Sequence, residues 1–196
     1  MPDTRIPIVI LTGSVRPGNY TLMAARLVLD ELNKSAEVAA ELIDAANLDL
    51  PLPGRGGDHP DAVMLREKVS SAAAVILATP EYHGSFSSVM KLIIENLGFP
   101  SALRGKPVAL LGVAAGAIGA IKSLEQLRGV VAHVGAIALP LPVSVANVQK
   151  VFDAEGRIHD PAVEKYVRRT AANVVDYLKQ HVCPAMTLER ILREGA

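Results

Sequence analysis

Gly13-Ser14-Val15-Arg16-Pro17-Gly18-Asn19-Tyr20-Thr21 decides how the rest of the chain is read. Ahead of it runs Ile6-Pro7-Ile8-Val9-Ile10-Leu11, which reads as a buried strand. Behind it runs Leu22-Met23-Ala24-Ala25-Arg26-Leu27-Val28-Leu29, which reads as a helix. A glycine- and hydroxyl-rich turn between strand and helix gathers backbone N–H groups. The helix N-terminus adds partial positive charge, so the turn favours a phosphate. Ser14, Asn19 and Thr21 can donate hydrogen bonds, and Arg16 adds a full charge on a forked donor. The same residues also fit a plain connecting turn in which Asn19 or Thr21 caps the helix. No Lys-Ser or Lys-Thr closes the turn, so it is not the loop of a nucleoside triphosphatase; Ser14 and Arg16 do not fit GxGxxG. One phosphate held by hydroxyls, amides and a single arginine fits better, which suits a mononucleotide more than ATP.

The pattern then repeats along the chain. The first strand is expected near 6–12 and the first helix near 20–34, with a second strand over Glu37 to Ile43. Leu48 to Pro60 is a long loop rich in proline and glycine, and a helix follows over 61–71. Ala73 to Thr79 is an apolar strand that Pro80 is expected to end. Pro80-Glu81-Tyr82-His83-Gly84-Ser85 forms a second loop, before a helix near 86–97. Pro107 to Val113 is a fourth strand, and Ala114-Ala115-Gly116-Ala117-Ile118-Gly119 a third loop, before a helix to about 133. Ala136 to Leu139 is a fifth strand, ended by Pro140 and Pro142. Gln149 to His159 reads as a small turn or hairpin, and Asp160-Pro161 opens a helix to about 181. Met186, Leu188, Ile191 and Leu192 have the spacing of a short amphipathic helix.

Nearly all-apolar strands alternating with helices indicate a parallel sheet covered on both faces. The expected fold is a flavodoxin-like, doubly wound α/β sheet of five parallel strands in the order 2-1-3-4-5. Residues 1–181 form one domain and 182–196 a C-terminal tail. Ligands of such sheets bind beyond the carboxyl ends of the strands, where the strand order reverses. The three loops follow strands one, three and four, so they share that edge.

Composition narrows the function. The chain has 196 residues, with Lys plus Arg equal to Asp plus Glu at 20 each, and so no electrostatic footprint for nucleic acid. Its one cysteine, Cys183, excludes an internal disulfide or a multi-cysteine metal cluster and fits a reducing cytoplasm. No basic segment followed by an apolar one precedes the first strand, so no secretory signal is expected. Val108 to Ile121 is too short to span a bilayer, and Pro140, Pro142, His133 and Asn147 interrupt Gly129 to Val148. His59, His133, His159 and His181 are scattered without metal-ligand spacing.

GSVRPGNYT after strand one, together with PEYHGSFSSVMK after strand three, resembles the NADPH-dependent FMN reductase family of flavodoxin-like proteins. The resemblance covers about residues 6–181. It implies that Ser14, Arg16, Asn19, Tyr20 and Thr21 surround the FMN phosphate and ribityl chain. It places Pro80, Glu81, Tyr82 and His83 along the flavin ring, with Gly84 and Ser85 beside them. Ala115 and Gly116 would approach the pyrimidine end through backbone groups. The family usually has Asn where His83 stands, Pro-Gly where Ser87-Ser88 stand, and Asn at the place of Leu92. His83 could contact the ring or satisfy a loop carbonyl, and Glu81 could brace its loop. The implied activity moves a hydride from NADPH or NADH to FMN and on to a quinone, free flavin, azo or metal-oxyanion acceptor. The cofactor supplies that chemistry, so the residues named are binding residues, with no catalytic side chain and no metal.

Three other readings compete. A flavodoxin-type electron carrier would be expected to be strongly acidic, and this chain is neutral. A nicotinamide-binding dehydrogenase domain would need the first glycine of GxGxxG, which the loop after strand four lacks. A regulatory module that has lost its flavin stays open on the departures at His83, Ser87 and Ser88. A homodimer or homotetramer is expected. The helix near 86–97 carries Phe86, Val89, Met90, Leu92, Ile93, Ile94 and Leu97, an apolar arc wider than one sheet contact needs. Packing under its own 48–60 loop would also account for that arc.

Overall fold

Strand β1 (Ile6–Thr12) lies between β2 (Val38–Asp44), at the edge of the sheet, and β3 (Ala74–Tyr82), at its centre, both parallel to it. The computed structural model describes residues 5–55, 59–184, 186, 189 and 193. Beyond β3 comes β5 (Pro107–Val113), again parallel, and then a last strand in two pieces, β6 (Ile137–Ala138) and β7 (Val143–Val145). The order of the five parallel positions is the expected one, and the fold is flavodoxin-like. Alternate residues of each strand feed opposite faces, as a pleated sheet requires. Ile8, Ile10, Ile76 and Ala109 pack under α1 (Tyr20–Leu32) and α6 (Pro161–Tyr177). Val9, Val75, Leu77 and Leu110 pack under α2 (Pro60–Ser71), α3 (Ser88–Asn96) and α4 (Ile121–His133). Arg168 of α6 ties the first layer together by donating to Glu164, and to Asp30, Glu31 and the Leu27 carbonyl of α1. Its hydrogen bond holds the Asp30 carboxyl below its ordinary range.

Proline does not end the third strand. β3 runs on through Pro80 to Tyr82, because β1 stops pairing at Ala78 while β5 stays alongside to Pro80. The chain then turns back into the two-residue β4 (Ser85–Phe86), pairing Glu81 with Phe86. Phe86 is therefore in a strand, not in the helix expected from residue 86; α3 starts at Ser88 with Ser87 as its cap. On the fifth strand the two prolines interrupt pairing without ending it. β6 pairs Pro107 and Val108, the chain bows out with Leu141 at φ 61°, and β7 rejoins at Leu111 to Val113. An edge strand tolerates such a bow because one of its sides needs no partner. The expected turn over 149–159 contains a short helix α5 (Val148–Val151) and a bridge between Phe152 and Ile158. After α6 the helix widens into a π turn over Leu178–Val182. Of the tail helix expected from Met186, residues 188, 191 and 192 lie outside the described residues, as do residues 56–58 of the long loop.

Candidate functional site

The carboxyl ends of β1, β3 and β5 open onto one cavity of about 380 Å³. Three loops build its wall, and each is fixed by contacts to another part of the chain. In the first, the N–H of Gly13 donates to Ala78 on β3. From Ser14 to Thr21, no backbone N–H donates to a partner among the described residues, so the turn presents a set of free donors. Asn19 caps α1: its side-chain oxygen accepts from Leu22 N–H at 2.8 Å, and its amide donates to the Arg16 carbonyl at 2.8 Å. The capping alternative is thus realised at Asn19, and it fixes the shape of the loop. Arg16 enters none of the ion pairs among the described residues, though it lines the cavity. Ser14 is 1 % exposed, and its Oγ has no hydrogen-bond partner. A buried hydroxyl left unsatisfied is costly, but Ser14 is not among the residues that line the cavity, which begin at Arg16.

Gly13 itself cannot be larger. A Cβ there would lie 2.8 Å from Met90 Cβ and 3.0 Å from Ser87 Oγ. Ser87 exploits that closeness: its Oγ donates to the Gly13 carbonyl at 2.5 Å and accepts from Met90 N–H at 3.0 Å. Ser87 therefore caps α3 and clamps the first loop to it.

The second loop supplies Pro80, Glu81 and Tyr82 to the cavity wall. Glu81 braces, as one reading expected: its Oε2 accepts from Ser123 N–H at 3.1 Å, capping an α4 that has no cap of its own. His83 (φ 51°) and Gly84 (φ 76°) turn the β3–β4 hairpin with two successive left-handed residues, the pattern of a type I′ turn. Asn suits that place better than His on backbone grounds. Gln126 of α4 straps the turn down, donating to the Gly84 carbonyl at 2.9 Å and accepting from Ser85 Oγ at 2.7 Å. His83, Gly84 and Ser85 thus sit beside the cavity and do not form its wall.

In the third loop the carbonyls of Ala114 and Gly116 accept from the N–H groups of Val148 and Asn147, and that of Ala115 from Gln149 Nε2. The N–H groups of Ala115 and Gly116 donate to nothing among the described residues. Ala115 lines the cavity, and Gly116 is exposed just outside it. Sequence reasoning passed over Pro17, Gly18, Val113, Ala114 and Val148, which also line it. The first four stand within two residues of named ones; nothing in the local pattern marked Val148, which the Asn147 turn swings in from α5. Among the described residues there is no group of three or more metal-ligating side chains, and no helix long and apolar enough to cross a membrane.

An anionic ligand with one phosphate and a flat polar-edged ring fits these groups: free N–H groups and an unpaired guanidinium at one end, and two free amides at the other. The model of the NADPH-dependent FMN reductase family matches residues 6–150. The chain is 29 % identical over 171 residues to an NAD(P)H-dependent FMN reductase of Pseudomonas aeruginosa, covering 84 % of this chain and 90 % of that protein. It is 32 % identical over 165 residues to an NADPH azoreductase of a Bacillus species, covering 80 % and 89 %. Its fold superposes on that of FerB, a flavoenzyme NAD(P)H:(acceptor) oxidoreductase of Paracoccus denitrificans, with a TM-score of 0.72 at 22 % identity, covering 90 % and 98 % of the two chains.

Proposed function

This chain belongs to the NADPH-dependent FMN reductase family, and on that premise we propose that the cavity at the ends of β1, β3 and β5 is where FMN binds. The protein is an oxidoreductase that uses FMN, with NADPH as reductant. Bound FMN supplies the hydride chemistry between the nicotinamide and the acceptor. In our reading, Ser14 Oγ, Arg16 and the free N–H groups up to Thr21 hold the phosphate, with Tyr20 beside the ribityl chain. Pro80, Glu81 and Tyr82 position the ring from one loop, with His83, Gly84 and Ser85 behind them. The N–H groups of Ala115 and Gly116 take the pyrimidine edge from the other. The free N–H groups of the first loop, which walls the cavity together with the unpaired Arg16, are the observation that carries this reading. The acceptor we propose is a quinone, a free flavin, an azo compound or a metal oxyanion, and we place the protein in the cytoplasm. One cavity must then serve reductant and acceptor in turn, which gives ping-pong kinetics. With NADPH and a quinone, double-reciprocal plots should be parallel; intersecting lines would contradict the shared site.

A homodimer or homotetramer, assembled through α3 and α4, completes the reading. α3 buries Met90, Ile93 and Ile94 within its own chain, and Asn96 reaches the Pro51 carbonyl of the long loop at 3.0 Å. The alternative of intrachain cover thus accounts for part of the broad apolar arc. What supports a partner is the neighbouring groove between α3 and α4, about 710 Å³, lined by Ile94, Val130 and Val134 with Phe99 fully exposed at its edge. A projecting aromatic and an apolar recess on the same face suit a two-fold contact. Charges at Met90 or Ile94 would test folding instead, since these are 0 % and 5 % exposed. Phe99→Asp with Val130→Asp should give a monomer in light scattering at micromolar concentration while the far-UV spectrum is kept. A monomeric wild type would overturn the assembly.

A further inference from the structure

Of the ten large apolar side chains exposed among the described residues, Tyr82 lines this cavity, while Ile118 lies three residues beyond the wall residue Ala115 and Ile121 two residues before Ser123, whose N–H is bonded to the wall residue Glu81. Ile118 is 71 % exposed, yet its turn is rigid. Gly119 (φ 77°) donates to the Gly116 carbonyl and lies so close to Ser144 that a Cβ would come within 2.5 Å of its Oγ. Ser144 Oγ in turn accepts from Ala120 N–H at 2.8 Å. A rigid turn cannot fold such a side chain away, so only a ligand or partner can cover it. Beside it stands Lys122, whose stem lies against the flavin-side hairpin, 3.7 Å from where a Cβ on Gly84 would be. Lys122 enters none of the ion pairs among the described residues, and the nearby Glu81 carboxylate is occupied by Ser123 N–H.

On the reading that the cavity holds FMN, we propose that Ile118, Ile121 and Lys122 form a platform at its mouth that selects flat aromatic ligands carrying negative charge. Ile118 and Ile121 take the ring and Lys122 takes the charge. The charge can belong to the acceptor or to the phosphates of the reducing dinucleotide, since both must stand at this mouth. The platform ranks a sulfonated quinone above its uncharged parent and both above a cationic dye.

The test uses FMN-loaded wild type, Ile118→Asn, Lys122→Gln and Lys122→Glu, with 1,4-naphthoquinone, its 2-sulfonate, NADPH and NADH. Each variant is referred to wild type on the same compound, so the intrinsic reactivities of the quinones cancel. Lys122→Glu should lower kcat/KM for the sulfonate by about tenfold and for the parent quinone hardly at all, with Lys122→Gln between and the difference shrinking in high salt. Ile118→Asn should raise KM for both quinones by about fivefold, since it removes apolar cover from the ring. If Lys122→Glu instead raises KM for NADPH alone, the platform stands and its anion is the dinucleotide. If no KM moves in any variant while FMN is held and the parent quinone is turned over, the platform is wrong and the cofactor reading survives. If wild type neither holds FMN nor oxidises NADPH, both fall together.

Discussion

Gly13→Ala is expected to destabilise the protein and empty its site in one step. The added methyl would sit 2.8 Å from Met90 Cβ and 3.1 Å from Met90 Cε, and Met90 is 0 % exposed. A Cβ-to-Cβ clash cannot be relieved by swinging a side-chain tip. Either the first loop or the start of α3 must move. Moving either breaks the Ser87 bridge, which joins the Gly13 carbonyl to Met90 N–H. Overpacking of this kind costs about 1–3 kcal/mol and occasionally more. The loop displaced is the one that carries Ser14 and Arg16, so FMN retention should fall beyond what the lost stability explains. Gly129→Ala is the control: its new methyl meets nothing within 4 Å, and alanine favours the helix it stands in. Thermal melts with flavin fluorescence on both variants read the contrast. A Gly13→Ala protein that melts and holds FMN as wild type does would refute the close approach.

Arg16→Ala should weaken FMN by about tenfold to a hundredfold and leave riboflavin almost unchanged, because a charge-assisted hydrogen bond to phosphate contributes roughly 1.5–3 kcal/mol. The guanidinium is exposed and enters no ion pair among the described residues, so its loss disturbs little in the empty protein. Ser14→Ala complements it with effects of opposite sign. In the empty protein it removes a buried hydroxyl that has no partner, so the melt should rise. In the loaded protein it removes a phosphate contact, so FMN affinity should drop. Isothermal titration with FMN and riboflavin checks both variants; equal losses for the two ligands would give Arg16 some other role.

The skeleton of this fold was legible because its signals are local. Each strand is a short apolar run and each helix carries its own period, so the alternation fixed a parallel sheet and put three loops on one edge. The phosphate turn was legible for the same reason, since Gly13, Ser14, Arg16 and Asn19 lie within a few residues of one another. What was missed depends on neighbours far along the chain. Pro80 reads as a strand end until β5 is seen running alongside it to Val113. Pro140 and Pro142 read as a stop until the chain rejoins the same edge at Val143. Phe86 fits the helical period, but its pairing with Glu81 claims it for a strand. Ser87 carried no local signal as a clamp on Gly13, 74 positions away. His83 draws notice in the sequence for its imidazole, whereas its backbone, at φ 51°, is the feature the hairpin imposes. Leu48 and Leu50 of the long loop cover part of the same cluster as α3, which no helical period reveals.

The central claim is that this cavity binds a flavin through one phosphate. Equilibrium fluorescence titration of the flavin-free protein with FMN, riboflavin and FAD tests it most directly. The first loop offers one phosphate its free N–H groups and Arg16, and the sequence shows one such turn and no adenosine site. FMN should bind at least tenfold more tightly than riboflavin, by the worth of its charge-assisted contacts, and more tightly than FAD. Equal affinity for FMN and riboflavin would contradict the account, because the phosphate would then contribute nothing to binding.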